Sequence, residues 1–244
     1  SQMFAKKIVE KIDIPLALAM RYGSMSMEIG IKELVDKGVT EIFLAPLYPH
    51  YAMSSYETVV TRAEEILAES YPNIKLDVLP PFYNKPGYIK AMSNNIANHL
   101  QDFDYDHILF SYHGIPERHI LKSDVTKSHC KIDGSCCERN SVAHHTCYRH
   151  QCFETTKEIA KALNLAEGSY SNSFQSRLLK DPWLKPYTDF ELEKFPSEGK
   201  KKLAVITPAF VSDCLETLEE IAMEGKEEFL KFGGTDYKLS LIHI

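Results

Sequence analysis

Short apolar runs alternate with helical patterns along the chain. The apolar runs predict strands, at residues 15–20, 41–47, 75–79, 107–111 and 202–207. Between them, apolar residues recur at helical spacing and predict helices, at residues 26–37, 56–70, 88–101, 152–163 and 213–232. Strands separated by helices of about ten or more residues favour parallel pairing. The predicted fold class is therefore α/β, with mainly parallel sheets.

A Pro- and Gly-rich stretch, PPFYNKPGY at residues 80–88, suggests a boundary between two lobes. We expect a first lobe over residues 1–83 and a second over residues 84–236, with a cleft between them. The Cys-rich stretch 123–152 has no apolar period and is predicted to be an insertion in the second lobe. Residues 237–244 show neither a helix pattern nor a turn, and we expect a non-native tail there.

Composition and charge narrow the choice of function. With 244 residues, of which 44% are apolar, the chain can bury a sizeable core. A net charge of −6 argues against a nucleic-acid partner. No run approaches the roughly 20 apolar residues that cross a bilayer, and no signal peptide opens the chain. These observations predict a cytoplasmic protein.

The unusual side chains follow the predicted strands. Arg21 and Tyr22 follow the first apolar run, Tyr48 and Tyr51 the second, and His113 the fourth. Ligands of open α/β sheets bind beyond the carboxyl ends of the strands. The aromatic rings, the arginine and the histidine would therefore line a pocket that suits a large flat ligand.

Three glutamates recur in the last predicted helix. Glu216, Glu220 and Glu224 stand at i, i+4 and i+8, so they share one face. Like charges at this spacing destabilise a helix by a few tenths of a kcal/mol per pair. A solvated face is one interpretation. The other is a ladder of carboxylates that passes on a hard divalent cation.

Three long motifs strongly resemble ferrochelatase: LFSYHGIP (109–116), FQSRLLKDPWLKPYTD (174–189) and PAFVSDCLETLEEI (208–221). MRYG and LAPLYPHYA, at residues 20–23 and 44–52, fit the same family. The resemblance implies two Rossmann-like lobes around a porphyrin cleft, and insertion of Fe²⁺ into a porphyrin as the last step of protohaem synthesis. It favours protoporphyrin IX over coproporphyrin, although the sequence does not separate them, and it leaves peripheral membrane contact open. The family's first and last strand–helix units have no counterpart, so we expect a fragment.

By this resemblance, the active-site histidine falls on His113 and the essential glutamate on Glu216. The family's metal path falls on Glu220 and Glu224. Positions near the porphyrin fall on Arg21, Tyr22, Tyr48, Tyr51 and Trp183. An ordinary imidazole titrates near pH 6.5, so it can accept a pyrrole proton or hold Fe²⁺ at neutral pH. Core packing of the aromatic residues, and a structural partner for Arg21, are the alternatives.

Two other functions stay open. A cobalt or sirohydrochlorin-type chelatase would share the fold and the pairing of a histidine with an acid. The glutamate ladder and the motif around Trp183 resemble ferrochelatase more closely. A non-catalytic haem- or iron-binding protein is the third interpretation, against which intact His113 and Glu216 argue.

Five of the six cysteines lie between residues 130 and 152. Some ferrochelatases bind a [2Fe-2S] cluster through cysteines, and the resemblance offers Cys130, Cys136, Cys137 and Cys147 as ligands. Four thiolates also suit Zn²⁺, and free thiols are the third interpretation. Because the insertion lacks an apolar pattern, we expect little besides a bound metal to order it.

Overall fold

The structure, a computed structural model, describes residues 2–178 and 181–241. These residues form two compact units, one of residues 2–47 and 53–81, the other of residues 48–52 and 82–241. The observed division at residue 81 lies near the predicted one at 83. The segment 48–52, which contains Tyr48 and Tyr51, belongs to the second unit rather than to the first.

The first unit is a small parallel α/β structure. Its elements are α1 (Gln2–Val9), α2 (Met27–Asp36), β1 (Glu41–Leu44), a π-helical turn (Met53–Glu57), α3 (Thr58–Ser70) and β2 (Lys75–Val78). The Ser26 hydroxyl caps α2 by accepting a hydrogen bond from the Ile29 amide. Strands β1 and β2 pair in parallel, and Ile42 of β1 packs with Ile31 and Ile66 of the helices.

The strand predicted at residues 15–20 is wrong. Among the described residues, its ladder contact is a single bridge from Met20 to Ser26. The segment lies against α2 instead, where a Cβ on Gly30 would come within 2.9 Å of the Ala19 Cβ. An apolar run predicts contact with a core, whereas a strand also needs a backbone partner.

The second unit is built on a parallel sheet with the strand order β4-β3-β5-β6. Its strands are β3 (His107–His113), β4 (Tyr170–Gln175), β5 (Lys202–Ile206) and β6 (Asp236–Ser240). Its helices are α4 (Pro86–Leu100), α5 (Glu117–Ser123), α6 (Tyr148–Ala162), α7 (Thr188–Lys194) and α8 (Lys226–Lys231). Short 3₁₀ turns cover Val142–Thr146 and Phe195–Glu198, and a π-helical segment covers Glu216–Gly225.

Alternate residues of β3 point to opposite faces of this sheet, and both faces are covered by helices. Ile108 and Phe110 pack in the core that contains Ile96 of α4. Leu109 packs in the other core, with Phe229 of α8. A strand buried on both faces reads as a continuous apolar run, which is why β3 is visible in the sequence.

Residues 237–240 of the predicted tail belong to a paired strand, and residues 242–244 lie outside the described part. Asp236–Ser240 is strand β6, and Tyr237 stands opposite Leu203 of β5. The buried Tyr237 hydroxyl donates a hydrogen bond to the Ile221 carbonyl at 2.8 Å. In the described ranges no helix is long and apolar enough to cross a membrane.

Candidate active site

Strand β3 ends in the histidine of the LFSYHGIP motif. His113 is half-buried, while the six residues before it in the strand are buried. The next residue has to be glycine, because a Cβ on Gly114 would lie 2.8 Å from the Gln175 carbonyl oxygen and 3.1 Å from the Trp183 ring. The Gly114 amide donates to that carbonyl at 2.8 Å. The turn after β3 is thereby fixed to the end of β4.

The hydrogen bonds of His113 define its tautomer. Its Nδ1 lies 2.7 Å from the Gly114 carbonyl oxygen, which can only accept, so Nδ1 carries the proton in the neutral ring. The Nε2 lone pair is therefore the one that can take a proton or a metal. The backbone carbonyl of His113 accepts from the Tyr148 hydroxyl at 2.8 Å, so α6 holds the strand end from behind. The rings of Trp183 and Phe210 lie 6.5 and 6.4 Å from the imidazole.

Glu216 begins the π-helical segment and lies near His113. A hydrogen bond from the Cys214 thiol lowers the pKa of Glu216, and a charge on His113 lowers it further. Burial raises the pKa of Cys214 to about 11, so that thiol stays protonated and can donate. The carboxylate of Glu216 is therefore ionised at neutral pH, and the structure brings together the two residues predicted as catalytic.

Glu220 is held by the end of β4. Its carboxylate accepts hydrogen bonds from the Ser176 amide at 2.7 Å, from the Ser176 hydroxyl, and from the Gln175 amide group at 3.3 Å. Gln175 also donates to the Glu216 carbonyl at 3.1 Å and accepts from Ser111 at 2.9 Å. Sequence reasoning missed Gln175 and Ser176 as site residues, although both stand in the quoted FQSRLLKDPWLKPYTD motif.

The ladder of glutamates lies on a π-helix and not on the predicted α-helix. π-Helical segments are rare in proteins as a whole, and those that do occur are often found at functional sites. Glu220 and Glu224 line a cavity of about 240 Å³, together with Asp189, Glu228 and Arg177. Glu216 is not among the residues that line it. Glu224 is exposed, so the three carboxylates differ in setting: Glu216 interacts electrostatically with His113, Glu220 is bonded to the end of β4, and Glu224 is open to solvent.

The predicted porphyrin-binding residues are divided between the two units. In the first, Arg21 donates to the Thr58 carbonyl at 3.2 Å and to its hydroxyl at 3.0 Å, and it stacks over Tyr22, which is 73% exposed. In the second, Gln151 accepts from the Tyr51 amide at 2.7 Å. Tyr48 belongs to this unit and is exposed, and Trp183 packs beside the site histidine. The cleft predicted between the lobes stays a prediction.

A buried histidine of the LAPLYPHYA motif supports the site from behind. His50 is 2% exposed, and its Nε2 lies 2.9 Å from the Thr155 hydroxyl. Burial lowers the pKa of His50 to about 3, so its ring is neutral. It packs edge-on against Tyr112 and Tyr148, the second of which anchors His113. In the sequence, nothing distinguishes His50 from its neighbours in the LAPLYPHYA motif.

The cysteine-rich insertion is more ordered by the fold than its sequence suggests. Cys130, Ala143 and Cys147 pack in the main core of the unit, as small apolar residues do. Asp124 accepts hydrogen bonds from the Cys130, His129 and Thr126 amides at 2.9 Å each. The expectation that little but a metal orders this segment is therefore wrong.

The four candidate thiols share one buried region. Burial raises the pKa of Cys137 to about 11; Arg149 opposes that rise, and the neighbouring Cys147 and Cys136 add to it. Burial raises the pKa of Cys130, and the neighbouring Cys147 raises it further. Among the described residues, no three Cys, His, Asp or Glu side chains form a group that could hold a metal ion. The thiols are gathered, but not as a ready-made cage.

Comparison with solved structures first places the fold in a class. It is similar to the sirohydrochlorin chelatase SirB from Bacillus subtilis subspecies spizizenii in complex with cobalt, with a TM-score of 0.61 at 12% identity over 99% of this chain and 80% of that one. SirB from Bacillus subtilis with Fe³⁺ matches with a TM-score of 0.60 at 13% identity, over 99% of this chain and 82% of that one. Two units with parallel sheets therefore form a chelatase-like, Rossmann-type fold.

The family follows from the sequence comparisons. The model of the ferrochelatase family matches residues 2–241, and the chain belongs to that family. Ferrochelatase from Opitutus terrae is 47% identical over 92% of this chain and 65% of its own length. Ferrochelatases from Stutzerimonas stutzeri and Pseudomonas fluorescens (strain Pf0-1) are 45% and 46% identical, each over 92% of this chain and 66% of their own length. The chain thus spans slightly less than two thirds of these curated relatives.

Proposed function

We propose that the protein inserts Fe²⁺, as substrate, into a porphyrin. The observation that carries the proposal is the His113–Glu216 pair, at a strand end of a chain that belongs to the ferrochelatase family. Insertion requires a metal contact and the loss of two pyrrole protons. The unprotonated Nε2 of His113 can accept a pyrrole proton or bind the metal. The ionised Glu216 carboxylate then stabilises the positive charge at His113.

The ladder has a place in this chemistry. Divalent iron is bound well by carboxylates and imidazole, so Glu220 and Glu224 can concentrate the cation while His113 and Glu216 act on the ring. Because Glu220 is bonded to Ser176 and Gln175, it fixes the π-helix to β4 as well. We propose that Arg21, Tyr22, Tyr48, Tyr51 and Trp183 contact the porphyrin. The cytoplasmic location and peripheral membrane contact stay predictions.

A substrate panel tests this function. The purified protein is offered Fe²⁺ or Zn²⁺ with protoporphyrin IX and with coproporphyrin, and Co²⁺ with sirohydrochlorin. We expect insertion into protoporphyrin IX to be fastest. Turnover of sirohydrochlorin alone would assign the activity of the structural neighbours instead. Porphyrin binding without insertion of any metal would favour a haem- or iron-binding protein.

We also propose that Cys130, Cys136, Cys137 and Cys147 hold a [2Fe-2S] cluster, with a structural Zn²⁺ as the alternative. The donor types suit either group, because four thiols are buried in one region, but among the described residues no three of the side chains form a ready-made metal site. Such a cluster would supply a one-electron couple and a link across the insertion. Protein purified without oxygen should be red-brown, with about two irons and two sulfides per chain.

Substitution separates the cluster from its alternatives. Cys136→Ser and Cys137→Ser should bleach the protein, and they are cleaner probes than Cys130 or Cys147 because they lie outside the main core. Cys214→Ser is the matched control, since it removes a thiol outside the insertion and should keep the colour. Colourless protein with one zinc per chain would assign the zinc alternative, and protein without either metal would leave free thiols.

A further inference from the structure

The last residue of β4 stands directly opposite the site histidine. Gln175 pairs with His113 in the parallel register of β3 and β4, and it is 3% exposed. Its backbone carbonyl accepts a hydrogen bond from the Gly114 amide at 2.8 Å. Gly114 in turn offers its own carbonyl to Nδ1 of His113. The main chain of Gln175 therefore fixes the turn that sets the tautomer of His113.

The side chain of Gln175 reaches the other half of the site. Its terminal NH₂ group has two N–H donors. It donates to the Glu216 carbonyl at 3.1 Å and to a carboxylate oxygen of Glu220 at 3.3 Å. Both acceptors belong to the π-helical segment Glu216–Gly225. A single residue thus connects the end of β3, through its backbone, with the start of the π-helix, through its side chain.

Buried hydroxyl groups behind Gln175 fix the orientation of its amide. Ser111 donates to the Gln175 Oε1 at 2.9 Å, and the Ser111 and Thr188 hydroxyls are 2.9 Å apart. Thr188 continues the chain to the Ser173 hydroxyl at 2.8 Å. A flipped amide would turn its oxygen toward the Glu216 carbonyl and the Glu220 carboxylate, which only accept. The NH₂ group therefore points toward the π-helix.

Glu220 is held from a second direction by a serine in an uncommon backbone conformation. Ser176 has a φ of 62°, in the left-handed region that non-glycine residues seldom adopt. Its amide and its hydroxyl both donate to the Glu220 carboxylate. Backbone of this kind persists where the surrounding structure fixes it, and it is concentrated at functional sites. Glu220 accepts on both carboxylate oxygens, so it anchors the π-helix to the end of β4.

We infer that Gln175 is a positioning residue that holds Glu216 in place relative to His113, with Glu220 as its anchor on the π-helix. The inference rests on the proposed function, in which His113 and Glu216 react, and it deepens that function. It assigns the geometry of the pair to a residue that bonds the Glu216 backbone and Gly114. A misplacement of about 1 Å can cost about 100-fold in rate, so the loss of Gln175 should act on kcat more than on binding.

The test removes the two donors of Gln175 without removing its bulk. Gln175→Met keeps the length of the side chain and most of its volume. Thr188→Val removes one hydroxyl from the chain behind the amide, and Thr188→Ser keeps that hydroxyl. Ser171→Ala is the matched control, because Ser171 lies on the same face of β4 and bonds His107 at 2.8 Å, away from the site. Each variant is assayed for Tm and for kcat and KM with Fe²⁺ and protoporphyrin IX.

We expect Gln175→Met to lower kcat by about 10–100-fold and to leave the KM for porphyrin unchanged. Thr188→Val should lower kcat a few-fold, Thr188→Ser should match the wild type, and Ser171→Ala should lower Tm without changing kcat. Unchanged kcat in Gln175→Met would overturn the inference, as would an equal fall of kcat in Ser171→Ala. If Gln175→Met does not fold, the two Thr188 variants decide, and equal kcat values in them would overturn the inference.

A double substitution separates positioning from a general structural role. In the Glu216→Gln background, Gln175→Met should have a much smaller effect on kcat than in the wild type, because the carboxylate that it positions is already gone. A structural role unconnected with Glu216 would give the same fold-change in both backgrounds. That result would overturn the inference.

Hydrogen exchange of the unliganded protein gives a readout that does not depend on chelatase activity. Without the hydrogen bonds of Gln175, the amides of residues 216–225 should exchange about tenfold faster or more, whereas Ser171→Ala should leave them unchanged. Unchanged exchange in Gln175→Met would overturn the inference. If the wild type inserts no metal into any porphyrin, the proposed function fails, and exchange alone then decides whether Gln175 holds the segment that carries Glu216. If the wild type is active and Gln175→Met matches it in kcat and exchange, only the inference fails.

Discussion

The strand-end site and the cysteine-rich insertion belong to the same unit, but they differ in how their polar groups are paired. At the site, Nδ1 of His113 is bonded to the Gly114 carbonyl, and Glu220 accepts from Ser176 and Gln175. In the insertion, a buried arginine has an unpartnered Nε. Trp183 Nε1 and His50 Nδ1 also lack a partner among the described residues, but the groups proposed to react are fixed by hydrogen bonds within the fold. In the second region, the buried guanidinium is bonded to two backbone carbonyls and to the Cys136 thiol.

The difference predicts different responses to substitution. Groups at the site are positioned by hydrogen bonds from the surrounding fold. The loss of a reacting group should therefore reduce activity and leave the fold intact. Groups in the insertion support a buried cation, so their loss should change stability and metal content. The experiments below test this contrast, beginning with the largest expected effect.

The largest effect is expected for His113→Ala. Loss of a general base typically costs about 10²–10⁴-fold in rate, and insertion of Fe²⁺ and of Zn²⁺ should fall together because both need the same two deprotonations. The fold should survive, because His113 is half-buried at a strand end. Porphyrin binding should survive as well, since it depends mostly on buried apolar area. Initial rates, Tm and porphyrin fluorescence measure the three properties.

The control for this variant is His119→Ala, which should keep turnover. His107→Ala would not serve as a second control. His107 is 2% exposed, lies 2.8 Å from the Ser171 hydroxyl and packs on Phe195, so its loss should destabilise the sheet. Substantial turnover in His113→Ala, or loss of turnover through unfolding, would contradict the proposed role of His113.

Glu216→Gln and Glu224→Gln should separate the two ends of the ladder. Glu216 interacts with His113, so its neutral analogue should lower kcat by about 100-fold while porphyrin still binds. Glu224 is exposed and lies two turns further along, so Glu224→Gln should mainly raise the KM for the metal, by a few-fold. Metal-dependence curves at saturating porphyrin distinguish these results. Equal effects on kcat in both variants would show that the ladder acts as one unit.

Much of the fold could be predicted because local sequence patterns specify most of its strands and helices. Strands β3 and β5 are continuous apolar runs, and α2, α3, α4 and α6 show helical periodicity. Strand β4 was missed because most of its side chains are polar. The partners of these side chains are distant in sequence: Asn172 accepts from Thr156, and Ser173 bonds Thr188 at 2.8 Å. A local sequence pattern cannot show that a buried serine will have a hydrogen-bond partner from a distant part of the chain.

In the candidate site, too, some residues could be predicted from the local sequence, whereas others depend on contacts that only the fold creates. His113 and Glu216 stand out in the sequence because their residue types are unusual for a strand end and a helix face. Tyr148 and Gln175 do not stand out, because their roles come from contacts with β3 and the π-helix. Arg149 could not be singled out either. Its burial and its orphan Nε exist only in the folded insertion.

Asp124→Asn should destabilise the protein by about 1–3 kcal/mol, because the carboxylate bonds several amides of the insertion. Although burial alone raises the pKa of Asp124, hydrogen bonds from Cys130, Thr126 and His129 lower it well below its usual range. A lowered folded-state pKa gives stability that is present above the unfolded value and lost as pH falls. The Tm difference between wild type and variant should therefore be full at neutral pH and shrink below about pH 4. A difference that is constant down to pH 2 would contradict this origin.

The smallest effect, and the one that joins the two regions, is expected for Tyr148→Phe. Tyr148 follows Cys147 directly, and its hydroxyl donates to the His113 carbonyl. The phenyl ring keeps the packing on His50, so the change should cost only the one hydrogen bond, about 0.5–1.5 kcal/mol. Because the freed carbonyl belongs to His113, kcat should fall a few-fold while the KM for porphyrin stays constant.

Tyr170→Phe is the matched control for this last experiment, since Tyr170 begins β4 at the opposite end of the sheet, packed on Phe110. It should leave kcat unchanged. If the order of the insertion reaches the site through Tyr148, Cys137→Ser should lower kcat in the wild type and have less effect in the Tyr148→Phe background. Strictly additive effects of the two substitutions would show that the insertion and the site are independent.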